Sequence, residues 1–92
     1  MRQVPVAIGS VLRSYTGGAA KVAVPVADGA TLADVLAALD AAYPGIRFRM
    51  VDEAGRVRPH VQVFVGGSIE RDPAAPVPQG AEVFIVGALS GG

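Results

Sequence analysis

Apolar and polar residues alternate with a period of two in several stretches of this 92-residue chain. Val4, Val6 and Ile8 are separated by Pro5 and Ala7, which predicts a strand with one buried face. Pro5 lacks an N–H, so pairing there is irregular or close to a strand end. Ser10 to Tyr15 reads as a connector, and Gly17-Gly18 as a turn. Lys21 to Val26 alternates again, with Val22, Val24 and Val26 on one side, and the two runs predict a hairpin with a long loop. Val61 to Val65 and Glu82 to Val86 are further strands. Gly66-Gly67 suits a tight hairpin turn into a short return strand, Ser68 to Glu70. Pro73, Pro76 and Pro78 mark a loop over the surface.

One segment changes period. Leu32, Val35, Leu36 and Leu39 follow helical spacing, Tyr43 continues the stripe, and alanines fill the remaining positions. Thr31 is placed to cap this helix, Asp34 suits its positive start, and Pro44-Gly45 stops it. Ile46 to Val51 fits either a strand or a further helical turn. The order is strand, strand, helix, strand, short strand, strand. A lone amphipathic helix must bury its stripe on the sheet. The expected class is therefore α+β: a β-grasp domain over residues 1–86, with a mixed sheet of four to five strands and one main helix across one face.

Composition narrows the function. The chain suffices for one domain, and 51% apolar residues supply a core. There is no cysteine, hence no disulfide, thiolate ligand or cysteine nucleophile. Eight basic residues balance eight acidic ones, which argues against a nucleic-acid partner. No apolar run reaches the ~20 residues needed to span a bilayer, and the start of the chain lacks a signal peptide's apolar stretch. A soluble cytoplasmic protein with no membrane partner is the expectation. Arg47, Arg49, Arg56 and Arg58 fall close together and read either as a solvated face or as a basic patch for an acidic partner surface.

The usual catalytic constellations are missing. His60 is the single histidine, so no histidine pair can hold a metal. Ser10, Ser14, Ser68 and Ser90 have no predicted base beside them, and Gly17-Gly18 is too short for a phosphate loop. A self-contained active site is not expected, and neither a metal nor a bound cofactor is called for. The chemistry falls instead on the end of the chain. Residues 87–92 read as a flexible arm, Gly87-Ala88-Leu89-Ser90-Gly91-Gly92, after the last strand. At this glycine content a Gly-Gly ending arises by chance in about 1–2% of chains, so it gains weight only from its context. Such an arm can thread a narrow channel in a partner and present the Gly92 carboxylate, ionised at neutral pH, to ATP. Gly92 permits the closest backbone approach. Strand alternation also predicts that Phe64, Phe84 and Val86 lie on the open face of the sheet, either as a partner-binding patch or as a small second core under a loop.

The ordered set of segments resembles the ubiquitin-like sulfur carrier family, which includes MoaD, ThiS and CysO. The resemblance runs through Val11 to Gly18, the helix start Thr31 to Leu36, Tyr43-Pro44-Gly45, Val61 to Gly67, Gly80 to Val83 and Ser90-Gly91-Gly92. It implies that a MoeB/ThiF-type activating enzyme, using ATP and Mg, adenylates the Gly92 carboxylate, and that sulfur transfer gives a thiocarboxylate. The sulfur then passes to a biosynthetic enzyme: molybdopterin synthesis in MoaD-like members, thiamin thiazole in ThiS-like members, cysteine synthesis in CysO-like members. The stretch Arg13 to Gly18 and the long segment after the helix look nearest the CysO-like branch, and ThiS-like members are typically shorter. The chain itself is then a protein co-substrate, not an enzyme. With Gly92 already last, no protease is expected to be needed. Gly87-Ala88-Leu89-Ser90 departs from the proline-containing approach of many relatives. Two other functions use the same residues: a protein modifier joined to target lysines, and a non-covalent binding module.

Overall fold

The computed structural model describes residues 1–87. Five strands form one sheet: β1 Arg2–Ile8, β2 Lys21–Val26, β3 Val61–Val65, β4 Ser68–Ile69 and β5 Val83–Gly87. Their order across the sheet is β2-β1-β5-β3-β4. β1 and β5 run parallel and the other neighbours are antiparallel. The two outer valine runs form the expected hairpin, with Val4 opposite Val24 and Val6 opposite Val22. β5 is the centre strand, paired with β1 on one side and β3 on the other. This is the β-grasp arrangement.

Helix α1, Leu32–Ala42, lies across one face. Its stripe Leu32, Val35, Leu36 and Leu39 is fully buried, together with Val4, Val6 and Ile8 of β1, Val24 of β2, Val61 and Val63 of β3, and Val83 and Ile85 of β5. Burying each such side chain contributes about 1.5–3 kcal/mol, which is offset by chain ordering. The helix start is doubly secured. The Asp34 N–H donates to Thr31 Oγ1 (3.3 Å), and the Thr31 N–H donates back to the Asp34 carboxylate (2.9 Å). The N–H groups of Leu32 and Ala33, which no helical turn can satisfy, donate to the carbonyls of Ala75 and Pro73. The proline-rich loop therefore serves as a lid on the helix start.

The ambiguous segment resolves as a helix, α2, Ile46–Met50. Ile46 and Met50 are buried and Phe48 points to solvent. The Asp40 carboxylate accepts the N–H groups of Gly45 (3.0 Å) and Arg47 (3.1 Å). It thereby holds the start of α2 against the end of α1 and removes donors that a strand would need. The connector after β1 is also more ordered than a loop: Ser10–Thr16 is a 3-10 helix, closed by Gly17 at φ 65°.

That 3-10 helix begins with a close approach. The Gly9 N–H donates to the Ile85 carbonyl (2.8 Å). A Cβ on Gly9 would sit 3.0 Å from the same oxygen and 3.1 Å from Val86 Cα. Both are backbone atoms of the centre strand and cannot move aside cheaply. The need for glycine here is steric, since Gly9 has an ordinary φ of −64°. Gly9→Ala is expected to destabilise the domain by about 1–3 kcal/mol, the range for overpacking. Urea denaturation checks this, and a variant as stable as the parent would refute the close packing.

Between α2 and β3, the Asp52 carboxylate turns the chain by accepting the N–H groups of Ala54 (2.9 Å) and Arg56 (3.0 Å). The Arg56 N–H bond, followed by that of Ala54 and the charges of Arg56 and Arg58, holds the Asp52 pKa below its usual 3.8 against an opposing desolvation effect. A carboxylate depressed in the folded state stabilises it above the unfolded pKa, and this stabilisation fades as pH falls through the folded value. Asp52→Asn should therefore be less stable than the parent at neutral pH. The gap should close as pH drops below 3.8, as read from denaturation midpoints across an acid series.

Candidate functional site

The face of the sheet opposite α1 carries no covering element among the described residues. Pairing register places one residue from each strand in a row across it. Ile69 lies opposite Phe64, Phe64 opposite Phe84, Phe84 beside Ala7, and Ala7 opposite Lys21. Phe64 and Phe84 stack with ring centroids 5.9 Å apart at 28°. A pair of this kind contributes about 0.5–1.5 kcal/mol beyond its burial. Phe84 remains 40% exposed and Ile69 60% exposed. Val86, opposite Gln62, is half-buried on the same side. The predicted trio Phe64, Phe84 and Val86 thus lies together on the open face, not in a second core.

Ile69 belongs to this patch and was not singled out from sequence. Its signal was present: a two-residue turn at Gly66-Gly67 sets Val65 against Ser68, and so Phe64 against Ile69. The opposite end of the row is polar. Lys21 Nζ reaches the Glu82 carboxylate at 2.7 Å, across the short side chains of Ala7 and Pro5 on β1. The pair is well exposed, so it adds little stability, but it frames the apolar patch on one side.

Gly87, assigned from sequence to the arm, is instead the last residue of β5. It pairs with Val61 and is buried. A Cβ at Gly87 would meet the Leu12 and Val11 side chains at 3.7–3.9 Å, so the 3-10 helix walls this end of the strand. The strand extends one residue past Val86 because Val61 still offers it a partner. Ala88, Leu89, Ser90, Gly91 and Gly92 lie outside the described residues.

A second residue missed from sequence is Arg71. Its guanidinium donates to three carbonyls, those of Val61 (2.7 Å), Arg58 (2.9 Å) and Val57 (3.0 Å). It ties the segment entering β3 to the segment leaving β4. No local pattern marks an arginine that serves distant carbonyls. Among the described residues, no three His, Asp or Glu side chains gather as metal ligands, and no helix is long and apolar enough to cross a membrane. The open face and the end of β5 bring exposed apolar side chains and the last described residue onto one strand.

Solved structures share this architecture. SAMP1 from Haloferax volcanii is similar at 25% identity, TM-score 0.83, over 99% of this chain and 100% of that one. The CysO complex with BexX from Amycolatopsis orientalis is similar at 29% identity, TM-score 0.80, over 97% and 99%. CysO from Mycobacterium tuberculosis is similar at 32% identity, TM-score 0.79, over 94% and 99%. No curated protein sequence matches the chain. The ThiS family model matches residues 8–92, from the end of β1 onward. By that match, and by its likeness to CysO along nearly the full length of both chains, the chain belongs to the ThiS family of ubiquitin-like sulfur carriers.

Proposed function

We propose that this chain carries sulfur on its C-terminal glycine. In this reading a MoeB/ThiF-type enzyme, supplying ATP and Mg, holds the folded body by the open face around Phe64, Phe84 and Val86. It draws Ala88, Leu89, Ser90 and Gly91 into its active site. A Gly92 carboxylate oxygen attacks the α-phosphorus of ATP, pyrophosphate leaves, and an acyl-adenylate forms. The clamp that holds the phosphates belongs to the partner. Attack by a sulfide-level sulfur on the activated carbonyl then expels AMP and leaves a thiocarboxylate. A biosynthetic enzyme takes up that sulfur, for cysteine synthesis as with CysO-type carriers or for molybdopterin synthesis as with MoaD-type carriers. The 32% identity with CysO favours the first, and the complex of the Amycolatopsis CysO with BexX is consistent with a partner enzyme of this kind.

The observation that carries the reading is the geometry of β5. The exposed Phe84 and the root of the arm lie on one strand, three residues apart, at the centre of the sheet. A partner that grips Phe84 therefore receives the residues after Gly87 at a fixed distance from its grip.

A second reading has its own support. SAMP1 from Haloferax volcanii, similar at 25% identity over nearly the whole of both chains, is by name a small archaeal modifier protein. A modifier would use the same adenylate, with a target lysine in place of sulfur. Intact mass of the protein taken rapidly from its native cells, without reductant, separates the two. A species heavier by the difference between sulfur and oxygen, mapped to the C-terminal peptide, is expected. Conjugates of high mass that resist thiols, without that species, would establish the modifier. Only unmodified carboxylate, even after incubation with native lysate, ATP and sulfide, would leave a non-covalent module. Deleting Gly92 should abolish the heavier species and leave the fold unchanged.

The open face has its own test. Phe84→Ser should weaken binding to the activating enzyme by about tenfold or more, the cost of losing a central aromatic contact. Isothermal titration reads the affinity. Unchanged affinity in a folded variant would remove Phe84 from the interface.

A further inference from the structure

The four arginines between residues 47 and 58 do not form one patch. Arg56 lies over Asp52 at 3.6 Å. Arg47 lines a cleft that also contains Asp40, Asp52 and Glu53. Like Arg47, neither Arg49 nor Arg58 lies within 4.0 Å of a carboxylate among the described residues, although the Arg58 charge reaches Asp52.

Each is instead braced against an aromatic ring. Arg49 Nε donates to Tyr15 Oη at 2.6 Å, and its guanidinium lies 5.9 Å from the centre of that ring. Arg58 Nε donates to the Phe48 carbonyl at 2.8 Å, with its guanidinium 4.8 Å from the Phe48 ring centre. Phe48 is 58% exposed. Together with His60, Arg49, Arg58 and Phe48 line one shallow cleft of about 230 Å³. The Tyr15 hydroxyl, through its hydrogen bond and then its charge, raises the Arg49 pKa further above its ordinary value. Two permanent cations are therefore held in fixed directions before any partner arrives, which lowers the ordering cost of binding.

Their location is informative. Arg71 holds the carbonyls of Arg58 and Val61 together, and Val61 pairs with Gly87. Tyr15 lies one turn from Leu12, which packs at Gly87. The braced arginines therefore lie at the same end of the sheet as Gly87.

We propose that Arg49 and Arg58, braced on Tyr15 and Phe48, form a second docking surface that pairs with carboxylates around the channel mouth of the activating enzyme. The surface is separate from the Phe64–Phe84 face, and the proposal rests on the carrier reading above. An acidic protein surface is a better fit than a nucleic acid. Two guanidinium groups on a chain of zero net charge supply little of the phosphate neutralisation that nucleic-acid binding requires.

The test is ATP–pyrophosphate exchange by the purified MoeB/ThiF-type enzyme, with this protein as the varied substrate. The double variant Arg49→Glu/Arg58→Glu should raise KM by about tenfold or more at low salt with kcat unchanged. The difference should shrink as NaCl is added, as interfacial charge pairing requires. Arg56→Glu, which reverses a charge on the same loop, should keep the parental KM. Thermal melting confirms that each variant is folded. The single variants Arg49→Gln and Arg58→Gln, which remove charge without reversing it, should show smaller rises if the double variant is unstable. An unchanged KM, an equal rise in Arg56→Glu, or a fall in kcat alone would overturn the docking surface and leave the carrier reading standing. A loss of binding to a DNA or RNA oligonucleotide in the double variant, with KM unchanged, would also overturn it and reassign the patch. No exchange with the parent chain would overturn both.

Discussion

The parallel pairing of β1 and β5 is the contact on which the rest of this structure depends. It joins strands from opposite ends of the described chain and fills the centre of the sheet. Without β5, the β1–β2 hairpin and the β3–β4 hairpin have no shared partner, and α1 has no continuous floor for Leu32, Val35, Leu36 and Leu39. The pairing is held by burial of Val6, Ile8, Val83 and Ile85, and by the Gly9 backbone lying directly against Ile85 and Val86. A contact so close tolerates little slippage. A shift of one residue would turn Phe84 inward and Val83 outward, exposing core and burying the patch in one step.

The same strand serves two purposes through its alternation. Val83 and Ile85 face α1, while Phe84 and Val86 face solvent. A protein of this size has little surface to spare, and the centre strand gives its outward side to the apolar patch. The rim around Gly87 is of another kind, with cations held on aromatic rings. As docking surfaces, an apolar face and a charged rim would restrict a partner in different ways. The first rewards close fit, and the second rejects a surface of the wrong sign.

Most of the fold could be read from the chain because its strands and helix carry clean periods. Val4-Val6-Ile8 and Leu32-Val35-Leu36-Leu39 each have one plausible face. Ile46 to Met50 could not be settled this way, since positions i and i+4 share a side in both a strand and a helix. Only Phe48 differs between the two, and an exposed phenylalanine is a poor guide. The deciding interaction, the Asp40 carboxylate on the N–H groups of Gly45 and Arg47, links one helix to the next and leaves no periodic trace. Among site residues, Phe64, Phe84 and Val86 followed from alternation. Arg71, and the division of the arginine run into paired and unpaired members, depended on contacts between segments far apart in sequence. The end of β5 was placed one residue early because glycine signals a loop, while Val61 was still available to pair with it.

The position of β5 in the chain also has a temporal consequence. It is synthesised after the other four strands, yet it occupies the middle of the sheet. The two hairpins emerge first and must wait, with their inner edges unpaired, for the strand that belongs between them. Such non-local closure is slow compared with helix formation. The interval before closure is when this molecule is most open to mispairing with another strand. Once β5 docks, that exposure ends, and the folded body and the anchor point for the residues that follow are completed in a single event.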